Sequence, residues 1–292
     1  MRAIYVPTLA KQIEASLGLG QLSEAGEVKI ASLAIALDGA TLHHLKRVIR
    51  LRSGERIKLL DGCGRMVVAI TEKILDKALG LKEGTFFRVS PPRPWDLVVG
   101  LTQEFADVVR IAQELGVRRL YPWNSLFTNQ KEVAKLKTAA AAAAASSSSS
   151  FSIPSSLMPS NTYARWKRIA INALEQSNAP WLIQIEGNYC LPDKTASFKA
   201  LQAALSSSTQ VVVAHWAMDH SAPQITNDLP RLTSPVIKPD QKLLLILGPE
   251  GGIAPEEWQV LQSLPQHQLL TLPTPILRTP TAVGACYGHL LR

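Results

Sequence analysis

A chain of 292 residues, 46% hydrophobic and 18% charged, is long enough for two ordinary domains and too apolar to be disordered. No apolar run approaches the ~20 residues that cross a bilayer, and the opening MRAIYVPTLAKQIEASLG lacks the basic-then-apolar order of a secretory leader, so a cytoplasmic protein with no membrane partner is expected. The net charge of +8 favours an acidic partner, commonly nucleic acid, while Cys63, Cys190 and Cys286 are dispersed without a CxxC pair, which argues against a metal centre or a disulfide framework and reads as three buried small residues.

The first ninety residues read mainly as strands. Ile4–Val6 ends at Pro7, and Val28 to Leu37 is rich in aliphatic and β-branched residues. Arg56–Leu60 runs into Asp61-Gly62 and is followed by Met66–Ile70, a hairpin signal; Phe86–Val89 closes the set. Several short strands with one short helix suggest a small β-barrel. That helix is expected over Leu42 to Leu51, with Thr41 as its N-cap, and Leu42, Leu45, Val48 and Ile49 turned to the barrel. Lys46, Arg47, Arg50 and Arg52 are left outside. They form either a phosphate-tracking cluster or an ordinary solvated face.

Ser90-Pro91-Pro92-Arg93-Pro94 is a stiff linker, and it divides the chain into domains at 1–92 and 93–292. Beyond it Leu97–Leu101 reads as a buried parallel strand, Phe105–Gly116 as an amphipathic helix and Val117–Pro122 as a second strand, the order of an α/β domain. Residues 139–160, seven alanines and five serines followed by more Ser and Pro, are expected to be a mobile surface insertion without chemistry. Arg165–Gln176 resumes as a helix, with strands at Val211–Ala214 and Leu243–Leu247.

The most informative stretch is Leu243–Leu247 followed by Gly248-Pro249-Glu250-Gly251-Gly252. A wholly apolar strand enters a loop whose glycines let backbone meet a ligand without an intervening Cβ. Pro255 suits the first turn of the next helix, and ligands of α/β sheets bind at such strand ends. The loop is neither GxGxxG nor GxxxxGK[ST], and no GxSxG occurs, so the common dinucleotide, P-loop and serine-hydrolase sites are set aside. A second stretch, Leu269–Ala282, passes from a strand through Ile276-Leu277-Arg278-Thr279 into a final helix of small residues.

Together the two stretches resemble the SPOUT methyltransferases, and more narrowly the RsmE family. The resemblance also covers Leu42–Leu51, Glu114–Val117, Arg165–Ala170 and Glu175-Gln176-Ser177, in family order. It implies a trefoil-knotted α/β methyltransferase domain behind a PUA-like barrel, and S-adenosylmethionine-dependent methylation of N3 of a uridine in small-subunit (16S) ribosomal RNA. Gly248, Pro249, Gly251, Gly252, Leu272 and Leu277 are thereby implied to hold the cofactor, with His215 at the pocket edge, although a lone histidine at a strand end is also an ordinary structural residue. Arg278 and Glu250 are the implied catalytic pair. A guanidinium would steady an anionic uracil, and Glu250 would act as a base, cap neighbouring backbone or balance the sulfonium. Lys46, Arg47, Arg50 and Arg52 are the implied RNA-binding residues.

The chain departs from the family pattern where charge is expected. Gly100–Phe105 stands for a Lys-Gly pair and further basic residues, Thr128-Asn129-Gln130 for an acid followed by Arg, Asn178–Trp181 for a basic stretch, and Pro280 for a Glu. Two further classes therefore stay beside the enzyme: a catalytically impaired RNA-binding or ribosome-assembly factor, and a SPOUT methyltransferase with another RNA target. A homodimer through the C-terminal domain is implied by the resemblance, with modest support from the apolar helix Thr281–Leu291.

Overall fold

The computed structural model describes residues 1–17, 27–129, 131, 160–205, 210–214, 242–264, 267–270, 272 and 276–291. They form two compact units: Met1–Pro91 with Ile171–Leu182, and Pro92–Ala170 with Ile183–Arg292. The expected Ala/Ser insertion lies outside the described residues up to Pro159, and Ser160 opens a helix.

In the first unit β1 (Arg2–Tyr5) pairs in parallel with β4 (Arg56–Leu60), which continues antiparallel to β5 (Arg65–Ile74) and β6 (Ala78–Arg88). The long β6 carries β2 (Glu27–Ile30) and β3 (Leu33–Ala36) along its other edge. Bulges in β5 near Thr71 bend this sheet, and its concave side encloses Ile4, Ile35, Ile57, Leu59, Val67, Leu79 and Phe86. The Asp61-Gly62 hairpin forms as expected. The Asp61 carboxylate accepts from the N–H groups of Cys63 and Arg65 at 2.7 and 3.0 Å.

Five expectations for this region are corrected. Leu9–Leu17 is a helix, α1, whose Leu9 and Ile13, one turn apart, are fully buried. Val28–Leu37 breaks into β2 and β3. The helix begins at Gly39, not Leu42: Asp38 is the N-cap and accepts from Thr41 N at 2.8 Å, so Thr41 lies inside the first turn. Its α-helical part, α2 (Gly39–His43), passes directly into a π-helical turn, His44–Ile49. The wider i→i+5 turn rotates Val48 out to 65% exposure while Leu42 and Leu45 remain buried and Ile49 packs on the core. Cys63, expected inside, is exposed; Cys190 and Cys286 are buried.

In the second unit the described strands form one parallel sheet. Its elements are β7 (Trp95–Gly100), α3 (Phe105–Glu114), β8 (Arg119–Trp123), α4 (Ser160–Ser177), β9 (Gln184–Ile185), α5 (Lys194–Leu205), β10 (Gln210–Ala214), β11 (Leu243–Leu247), α6 (Pro255–Gln262), β12 (His267–Leu270) and α7 (Thr279–Leu290). From Ile171 onward α4 is part of the first unit. Strand order is β12-β10-β11-β7-β8-β9. The continuous apolar runs of β7, β10 and β11 are buried, as a sheet covered on both faces requires. From β7 the chain steps outward to β8 and β9, and β10–β12 fill the opposite side. The order thus reverses between β7 and β11, paired from Trp95–Leu243 to Val99–Leu247. In open α/β sheets such a reversal leaves a crevice beyond the carboxyl ends of the strands. No helix among the described residues is long and apolar enough to cross a membrane.

Candidate active site

At that reversal β7 ends in Gly100, and Gly248 follows the last residue of β11. A Cβ on Gly100 would lie 2.4 Å from Pro249 Cδ, so the end of β7 tolerates nothing larger where the loop after β11 crosses it. Within the loop, a Cβ on Gly248 would stand 2.8 Å from the Gly252 carbonyl carbon. Gly252 has φ +80°, a left-handed conformation that suits glycine, and its N–H donates to Pro249 O at 2.8 Å. The loop is therefore a tight turn folded back on itself.

It forms one wall of a cavity of about 330 Å³ lined by Gly248, Pro249, Glu250, Gly251 and Gly252 together with Leu272 and Leu277. Leu247, Leu270, Ile276, Ala282 and Cys286 complete an apolar floor. Burial pushes the Cys286 thiol up to about 12, so it remains a neutral, unreactive part of that floor. Apart from His215, every cofactor residue expected from the sequence meets in this one place. His215 follows the last residue of β10, Ala214, which also lines the cavity, but lies outside the described residues.

A second cavity, about 530 Å³, shares Glu250 and Gly251 with the first and adds Gln103, Glu104, Phe127, Asn129 and Arg278. Arg278 caps the start of α7, and its exposed guanidinium donates through Nη1 to Glu104 Oε1 at 2.7 Å. Guanidinium carries five N–H donors, and this ion pair occupies one nitrogen. Glu104 is itself placed by Thr102, whose buried hydroxyl accepts from Glu104 N at 3.0 Å.

The loop Asn124–Asn129 that brings Phe127 and Asn129 to this cavity is fixed from both sides. Glu257, wholly buried on α6, accepts from Leu126 N at 2.8 Å and from Ala254 N at 3.2 Å. Lys194 Nζ donates to Leu126 O at 2.7 Å and Thr128 O at 2.9 Å. Burial raises the Glu257 pKa above its usual value despite the two N–H bonds that oppose it, and burial lowers that of Lys194. The cap for the backbone after the glycine loop is thus Glu257, while Glu250 is exposed and faces both cavities. Glu104, Phe127, Asn129 and Glu257 are not among the site residues expected from the sequence. The usable signal was positional: Glu104, Phe127 and Asn129 follow the carboxyl ends of β7 and β8, next to the reversal.

The basic residues of the first unit, Lys46, Arg47, Arg50 and Arg52, are all exposed on the π-helical turn and just beyond it. Arg50 takes φ +53°, the left-handed region, as the turn's C-cap. Among the described residues no group of three His, Cys, Asp or Glu could hold a metal ion.

The RNA methyltransferase domain family matches residues 146–290, and the RNA methyltransferase PUA domain matches residues 37–77. Ribosomal RNA small subunit methyltransferase E of Synechocystis sp. is 28% identical over 53% of this chain and 43% of its own length, so the chain spans less than half of that relative. The protein of the same name from Mycobacterium bovis is 23% identical over 86% of this chain and 84% of its own length. Among solved structures, the fold is similar to that of ribosomal RNA small subunit methyltransferase E from Neisseria gonorrhoeae bound to S-adenosyl methionine, with TM-score 0.59 and 20% identity over 99% of this chain and 95% of that one. It is also similar to a Legionella pneumophila protein in complex with the cofactor SAM, with TM-score 0.59 and 18% identity over 99% and 96%.

Fold and domain matches define an RNA methyltransferase of the SPOUT class with a PUA-like domain. Within that class the chain is similar over most of its length to the ribosomal RNA small subunit methyltransferases E. Of Thr271–Pro275, within the second stretch that carries the resemblance, only Leu272 is among the described residues.

Proposed function

We propose that this protein methylates N3 of a uridine in small-subunit ribosomal RNA, in the cytoplasm, with S-adenosylmethionine as donor. The observation that carries the reading is the glycine-walled apolar cavity at the sheet reversal, opening beside the Arg278 cavity. Its features fit this cofactor. Gly248 and Gly252 keep the wall free of side chains, Leu272 and Leu277 supply apolar packing, and Glu250 sets a carboxylate near a cationic sulfur. When bound, the cofactor supplies an electrophilic methyl group. The chain supplies the electrostatics: uracil N3 must lose its proton before transfer, and Arg278 favours the resulting anion. Glu250 is assigned to charge balance. Residues 1–92 are read as the RNA-binding domain, acting through Lys46, Arg47, Arg50 and Arg52. Residues 93–292 are read as the methyltransferase domain, which also forms a homodimer.

Labelled cofactor should transfer methyl to small-subunit RNA from a strain lacking its own enzyme, at one uridine that then stops reverse transcription. Absence of transfer to that RNA, with transfer to another, would redirect the reading to a different target.

A further inference from the structure

The Asn124–Asn129 loop is anchored on both sides of Phe127, yet it holds that aromatic ring in the open. Asn124 N donates to Tyr189 O at 3.0 Å and Asn124 Nδ2 to Leu191 O at 2.8 Å. Leu126 and Thr128 are held by Glu257 and Lys194 as described, and Thr128 N donates to Ser125 O at 3.1 Å. Phe127, between those anchors, is 49% exposed. Exposing a phenyl ring forfeits the stabilisation of its burial, and a rigid loop cannot fold it away. The side chain stands against the glycine loop: a Cβ on Gly251 would be 3.2 Å from Phe127 Cβ and 3.8 Å from Cδ2 of its ring.

The other walls of the same cavity carry hydrogen-bonding groups. Asn129, whose Oδ1 accepts from Lys131 N at 2.9 Å, and Gln103 bring carboxamides; Arg278 brings a guanidinium steadied by Glu104. One apolar face with amides and a cation around it is what an unstacked nucleobase requires: a surface to stack on and donors for its carbonyl oxygens.

We propose that the second cavity is the receptacle for a flipped-out pyrimidine base, with Phe127 as the stacking platform and Asn129 and Gln103 reading its edge. This deepens the methyltransferase reading and rests on it for the identity of the base as uracil. Glu250 and Gly251, common to both cavities, place the base next to the methyl donor. Phe127 touches the base only through its π-face, so its contribution depends on aromaticity and not on bulk.

The test uses the full chain and two readouts. One is the 19F resonance of 5-fluorouridine monophosphate on titration with protein; the other is methyl transfer to small-subunit RNA. Phe127→Ala and Phe127→Leu should weaken nucleotide binding about tenfold or more, the order seen for loss of one base–aromatic stack, and raise KM for RNA. Phe127→Tyr should restore both, and calorimetric affinity for S-adenosylmethionine should be unchanged throughout. Equal binding by Phe127→Ala, or retention by Phe127→Leu, would overturn the stacking role. A wild-type protein that binds the nucleotide through Phe127 but methylates no small-subunit RNA would sink the proposed function and leave this inference standing.

Discussion

Two glutamates seven residues apart divide the work around the glycine loop. Glu257 is buried and structural, joining α6 to the loop after β8; Glu250 is exposed at the mouth of both cavities. Because burial raises the folded-state pKa of Glu257, its contribution is full below the ordinary value of 4.5 and declines as pH rises through the elevated one. Glu257→Gln cannot accept from both N–H groups and should destabilise the protein, by about 1–3 kcal/mol for the group left unpaired. That deficit should narrow as pH rises from the unfolded value, measured by urea unfolding across pH. A constant deficit would mean that Glu257 titrates as it does in the unfolded chain. At Gly248 the argument is steric. Gly248→Ala puts a methyl group into the Gly252 carbonyl, and calorimetry should show cofactor affinity reduced at least about tenfold, roughly 1.4 kcal/mol.

Elements were legible in proportion to how far their signal was local. β11 was read at its true bounds because Leu243–Leu247 is apolar throughout and stopped by glycine. α1 and α5 were missed. The sequence of α1 runs on from a strand and Pro7, and its helical face shows only once Leu9 and Ile13 find the sheet interior. The π-helical turn at His44–Ile49 was equally hidden, since i→i+5 bonding leaves no period that sequence reading looks for. The same turn holds Arg50 in a left-handed conformation that costs about 1–2 kcal/mol for a residue with a Cβ. Arg50→Gly should therefore raise the melting temperature or leave it unchanged, while weakening RNA binding and flattening its salt dependence by roughly one unit for one lost phosphate contact. If the salt slope is unaltered, the arginine serves only the turn.

For the molecule as a whole, the cavity residues were readable because the glycine loop and Ile276–Thr279 each carry a dense local pattern, whereas the loop after β8 became visible only through strand order. What was not readable in the first unit is that residues 171–182 belong to it. Glu175 of α4 accepts from Tyr5 N at 2.8 Å, Gly64 N donates to Pro180 O at 2.9 Å, and Gly64 has no room for a Cβ because the Trp181 ring lies 2.2 Å from where it would be. Asn178–Trp181, where the family pattern expects basic residues, thus has packing to do. Residues 1–92 alone should melt at a lower temperature than the same fragment supplemented with a 171–182 peptide, and equal melting would show the strap to be dispensable.

The discontinuity also bears on how the chain is born. The first unit gets its last piece only when residue 182 has been made, some ninety residues after Pro91. At typical elongation rates of about 5–20 residues per second, the bent sheet waits roughly 5–20 s for it. During that interval the Tyr5 amide and the hairpin tip of the nascent protein stay uncovered, so the unit begun first is still unfinished while much of the second is being made.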